Sequence, residues 1–134
     1  MIERLSEPYG QWVDRTQTVT FSFDGQSFSG FQGDTIASAL AANDQWLLSR
    51  SFKYHRPRGL LTLAGQDANT LVQLPTDPNA LADRVLIFEG MAARAQNFSG
   101  SLKRDRNAVL GLLAPFLPVA FYYKAFFRPR GIWQ

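Results

Sequence analysis

The stretch from Thr18 to Phe31 constrains the fold more tightly than any other part of the chain. Val19, Phe21 and Phe23 alternate with Thr18, Thr20 and Ser22, the period-two pattern of a strand with one buried face. Asp24-Gly25 follows, a pair suited to the tight turn between antiparallel strands. Gln26 to Phe31 then returns with Phe28 set among small polar residues, so the chain opens with a β-hairpin. Its aromatic face needs a cover. Gly33-Asp34-Thr35 precedes Ile36-Ala37-Ser38-Ala39-Leu40-Ala41-Ala42, where alanine favours helix and Ile36 and Leu40 stand on one side. The pattern predicts a helix of about three turns across the hairpin, with Asp34 as N-cap and Asn43-Asp44 as its stop.

Asn69 to Leu74 reads as a further strand and Pro75 to Ala82 as a loop. Arg84 to Glu89 reads as a final strand, well buried because Val85 and Ile87 face one way and Leu86 and Phe88 the other. This order predicts an α+β domain over residues 1–90: a β-grasp, ferredoxin-like fold with a small mixed sheet and one packed helix. After Gly90 the composition changes. Ala92 to Leu102 is small and polar, Asn107 to Leu113 suits a short helix, and Pro115 and Pro118 break it. An extended aromatic tail closes the chain, with Phe121, Tyr122, Tyr123, Phe126 and Phe127 around Lys124. Pro118 and Lys124 interrupt that run too soon for a membrane span. Each ring left in water forfeits roughly 1.5–3 kcal/mol, so residues 91–134 are expected to form a docking extension for another chain, with these residues at the interface.

The sequence has no cysteine and one histidine, His55. Disulfides, thiolate metal sites and cysteine nucleophiles are therefore excluded. A net charge of +3 is too small an imbalance to point to nucleic acid. The N-terminus carries no apolar signal region, and a cytoplasmic location is expected. No G-x-G-x-x-G fingerprint is present for a dinucleotide.

The densest chemistry lies in Arg50-Ser51-Phe52-Lys53-Tyr54-His55-Arg56-Pro57-Arg58-Gly59. Arg50, Lys53, Arg56 and Arg58 suit a flavin or nucleotide phosphate, or the acidic residues of a partner, with Tyr54 able to stack or cap. The alternative is that these cations pair with carboxylates of neighbouring subunits and only fix an assembly. His55 has no carboxylate near it in sequence, and its cationic neighbours disfavour a second charge, so a general-base role is not expected. No catalytic constellation emerges.

Phe21-Ser22-Phe23-Asp24-Gly25, the run Gly33 to Asn43, the basic segment and Asn69 to Leu74 together resemble the N-terminal domain of the alpha subunit of heterotetrameric sarcosine oxidase. Ala114 to Pro118 and Phe121-Tyr122-Tyr123-Lys124 resemble the segment that follows it. Related modules occur in hydrogen cyanide synthase and in the small subunits of opine and hydroxyproline dehydrogenases. In many of these, four cysteines just after the Pro-Arg-Gly hold a 2Fe-2S cluster. Here that position reads Leu60 to Ala68 without a thiolate, so the resemblance implies a cluster-less version. It further implies no catalytic residue and no cofactor in this chain. FAD and FMN, with NAD as a further candidate, would sit in larger flavoprotein subunits. Read as complete, the chain would be a non-catalytic small subunit of an oxidoreductase acting on the C–N bond of a secondary or tertiary amino acid. A β-grasp interaction adaptor unrelated to redox chemistry is the alternative.

Overall fold

Phe21 and Phe23, each 2% exposed, form the inner face of a long first strand, β1 (Asp14–Phe23). The computed structural model describes residues 4–112. β1 turns at Asp24-Gly25, both at positive φ, into antiparallel β2 (Gln26–Gln32). The helix α1 (Ile36–Ala42) follows, then β3 (Leu47–Arg50) and β4 (Pro57–Gly59), which pair antiparallel. A 3₁₀ turn, Ala68–Thr70, leads into β5 (Leu71–Val72), which pairs with β6 (Ala80–Leu81). Finally β7 (Ala92–Ala93) lies parallel to β1, matching Ser22 with Ala92 and Phe23 with Ala93. The three-stranded sheet has the order β2-β1-β7 and two small ribbons accompany it, a mixed α+β architecture. The core joins Val19, Phe21, Phe23, Ile36, Leu40 and Leu48 with Val72, Ile87 and others, and Phe28 packs at its edge.

The opening hairpin and the helix stand where the residue pattern predicts them. Close packing between them depends on Gly30: a Cβ there would lie 2.6 Å from Ile87 Cδ1 and 2.9 Å from Ala39 Cβ. The helix is seven residues long, about two turns and not three. Asn43 stops it, its amide group donating to the Ser29 and Ala39 carbonyls at 2.7 and 2.8 Å.

Three expectations are corrected. The N-cap is Thr35, which exchanges hydrogen bonds with Ser38 in a capping box. Asp34, 1% exposed, is instead a buried hub. It accepts the Phe31 amide at 2.8 Å, the Ser38 hydroxyl at 2.8 Å and both Arg4 nitrogens at 2.9 and 2.7 Å. Arg84 to Glu89 is not a strand. Its neighbourhood serves the helix N-terminus: the carbonyls of Val85 and Ala82 accept the Ile36 and Ala37 amides, and Ile87 donates to Asp34. Only Ile87 is deeply buried there, while Leu86 and Phe88 are more than half exposed. Asn69 to Leu74 is a strand for only two residues, because Asp67 caps Asn69 into the 3₁₀ turn.

Met91, Ala93, Ala95 and Leu102 are buried in the same core, so residues just after Gly90 are packed onto the domain. The aromatic tail expected at Phe121, Tyr122, Tyr123, Lys124, Phe126 and Phe127 lies outside the described residues. Among the described residues no helix is long and apolar enough to cross a membrane.

Gly30→Val is expected to destabilise the domain by about 1–3 kcal/mol through overpacking. Ser27→Val, on an exposed strand position, should stay within about 0.5 kcal/mol. Urea unfolding of both variants checks this.

Candidate functional site

β3 and β4 pair Arg50 with Pro57, so residues 51–56 become the connection of a second hairpin. The Ser51 amide donates to the Arg56 carbonyl at 2.9 Å, and the Arg56 amide to the Ser51 hydroxyl at 3.0 Å. His55 closes the loop at φ 52, in the left-handed region, its amide donating to the Ser51 carbonyl. Gly59 is required in β4, since a Cβ there would run into the Trp46 carbonyl oxygen.

The hairpin divides its charges between two sides. Arg50 points inward and is 7% exposed. Its Nε and Nη2 donate to the Leu102 carbonyl at 3.0 and 2.7 Å, Nη2 also to Lys103 at 3.1 Å, and Nη1 to His55 at 3.0 Å. A buried cation survives when its donors are met, and here backbone carbonyls meet them. Asn97 donates to the Arg50 carbonyl, and the Arg50 amide to Gln96.

His55 faces the same way. Its Nδ1 lies 2.7 Å from Asp105 Oδ2, with both side chains largely shielded. Burial pushes the Asp105 carboxyl up. The backbone amides of Ser99 and Asn107, at 2.8 and 3.0 Å, outweigh burial together with His55, and hold it below its ordinary value. An ionised carboxylate only accepts, so Nδ1 carries the proton and donates. Arg50 and His55 therefore clamp the segment from Gln96 to Asn107 against the hairpin.

Outward stand Phe52, 73% exposed, with Arg56 and Arg58, and Lys53 and Tyr54 lie half-buried beside them. The Lys53 ammonium and the Arg56 guanidinium each lie 4.8 Å from the Tyr54 ring centroid. Such contacts order the cations at about 0.5–1 kcal/mol each in exposed settings. Arg58 donates to Asn69 Oδ1 at 2.5 Å. Of the six residues singled out in the sequence, Arg50 and His55 anchor the loop, Arg56 and Arg58 are exposed, and Lys53 and Tyr54 are half-buried next to them.

Two residues that matter were not singled out. Asp105 supplies His55 with the carboxylate that its own neighbourhood in sequence lacks. Asp67, 4% exposed, gathers the amides of Leu61, Thr62 and Asn69. Both begin an Asp-x-Asn triplet, in which the carboxylate takes the amide two residues on, and that signal is present in the chain.

Residues 16–98 match the family described as a 2Fe-2S iron-sulfur cluster binding domain. The chain belongs to this family. It is also 47% identical over 126 residues to the sarcosine oxidase subunit alpha of Rhizobium meliloti (strain 1021), covering 91% of this chain. It is 29% identical over 110 residues to the same subunit of Corynebacterium sp. (strain P-1), covering 82% of this chain. It spans only 13% and 11% of those relatives' lengths. A crystal structure of L-proline dehydrogenase from P. horikoshii matches with a TM-score of 0.54 at 24% identity, over 65% of this chain and 17% of that one. That likeness concerns the fold. The family's cluster does not fit this member: the sequence offers no thiolate. The loop after Pro57-Arg58-Gly59 is instead drawn around the Asp67 carboxylate. Among the described residues no group of three or more His, Cys, Asp or Glu side chains is placed to hold a metal ion.

Because its folded carboxyl is depressed, Asp105 contributes stability that is whole above the unfolded value near 4 and is lost as pH falls through the folded value. Asp105→Asn should cost about 1–3 kcal/mol at neutral pH and flatten the acid limb of stability. Urea midpoints at several pH values report both, and an unchanged acid limb would contradict the assignment.

Proposed function

We propose that this chain is a small, non-catalytic part of a multi-subunit flavin-dependent oxidoreductase resembling sarcosine oxidase. The complex would oxidise the C–N bond of a secondary or tertiary amino acid. The observation that carries this reading is the 47% identity to a sarcosine oxidase alpha subunit across 91% of this chain. The hairpin, the helix packed against it and the parallel return of β7 support a β-grasp module within that assembly. FAD and FMN, with NAD as a further candidate, belong on this reading to larger flavoprotein subunits.

The outer face of the basic hairpin supplies the contact with those subunits. Lys53, Tyr54, Arg56 and Arg58 meet an acidic rim, or a flavin phosphate held at the junction. Arg50 and His55 fix the loop that presents them. The aromatic residues Phe121, Tyr122, Tyr123, Phe126 and Phe127, with Lys124, add a second contact. The cations favour encounter and register more than raw affinity, since exposed ion pairs are worth about 0.2–1 kcal/mol each.

Arg56→Ala combined with Arg58→Ala, in the chain purified from its own cells with its companions, tests the role. The expected result is a flavin-bearing complex that dissociates faster and at lower salt, with full flavin per complex if the cations pair with protein. Loss of flavin from an intact complex assigns them to the phosphate. A colourless chain with no larger companion contradicts the reading.

A further inference from the structure

The loop that follows β4 is ordered in a way its family membership does not require. Asp67 Oδ2 accepts the Leu61 amide at 2.7 Å and the Thr62 amide at 3.1 Å. Its Oδ1 accepts the Asn69 amide at 2.9 Å and the Asn69 side chain at 3.0 Å. Thr62 in turn accepts the Ala64 amide at 3.2 Å. From beneath, Asp83, itself 3% exposed, accepts the Asp67 amide at 3.1 Å and the Thr70 hydroxyl at 3.3 Å. Converging amides on one carboxylate fix a backbone as bridging ligands would. Yet this held loop turns Leu61 and Leu63 to solvent, 79% and 55% exposed, while Leu60 beside them packs on the core. Arg58 stands at the edge, fixed on Asn69.

We propose that residues 60–67 form a metal-independent docking finger: the Asp67 carboxylate holds the backbone, and Leu61 and Leu63 enter an apolar, acid-rimmed pocket on the larger subunit. This rests on the oxidoreductase-subunit reading above and names its contact. Two observations choose the occupant. On the subunit reading, the occupant is the counterpart of what the Rhizobium relative carries beyond this domain, which there makes up 13% of one polypeptide. The leucines are apolar and the fixed neighbour is a guanidinium, so the complementary surface is an apolar centre with carboxylates at its margin, as interface cores and rims are built. Pre-ordering also spares the loop the entropy of fixing it on binding.

The test uses the full chain in its own cells, with a photo-crosslinking phenylalanine at position 61 or 63, and at Gln26 on the far turn as control. The expected result is a crosslink from 61 and 63, but not 26, to a larger flavin-bearing subunit. Leu61→Asp with Leu63→Asp should lower the co-eluted flavoprotein about 30-fold, as for a pair of hot-spot residues, with an unchanged melting temperature of the chain itself. Co-elution should be indifferent to EDTA and to added ferrous iron with sulfide. A flavoprotein that co-elutes equally with the double variant overturns the finger and leaves the subunit reading standing. Crosslinks only to a second copy of this chain, or loss of binding in EDTA, overturn it as well. Absence of any flavoprotein companion sinks both.

Discussion

Buried carboxylates that collect backbone amides hold this domain together wherever its strands are too short to do so. Among the described residues, strands outside the opening hairpin are only two to four residues long. Ladders of that length leave many amides without a partner, and each such group costs free energy if buried. Asp34, Asp67 and Asp105 take up the deficit at three places. Two of them bind segments distant in sequence, Asp34 joining the N-terminal arm to the helix start and Asp105 joining the 99–107 segment to His55, while Asp67 closes its own loop. The charge stays tolerable because every carboxylate is met by several donors.

This arrangement connects the family's chemistry to the present chain. A cluster held by thiolates organises a loop and carries electrons. Asp67 provides the first of these services from within the polypeptide, and the chain has no cysteine to hold the cluster that provides the second. On the reading proposed above, the surface that remains serves contact: a hairpin with cations around Tyr54, and beside it a held loop with two outward leucines. Arg50 links them to the core by binding the carbonyls of Leu102 and Lys103.

The alternation of Val19, Phe21 and Phe23, the Asp24-Gly25 turn and the alanine-rich helix were legible because local pattern and tertiary role agree there. Arg84 to Glu89 misled for a physical reason. Its apolar pairs suit a strand, but its Val85 carbonyl takes the free amide of Ile36 and its Ile87 amide donates to the Asp34 carbonyl, which no local pattern announces. Asp34 was mistaken for the cap because Thr35, one residue on, is equally able, and the choice depends on Arg4 thirty residues away. The basic segment stood out by its composition, whereas the inward turn of Arg50 and His55 depends on Leu102 and Asp105, far along the chain.

The central claim is that ionised carboxylates hold these loops by their amides. An NMR pH titration of the labelled chain tests it most directly, following the amide resonances of Leu61, Thr62, Ser99 and Asn107. The account predicts that all four shift on acidification with midpoints below the ordinary carboxyl value of 3.8. Resonances that ignore pH, or that move at or above that value, would contradict it.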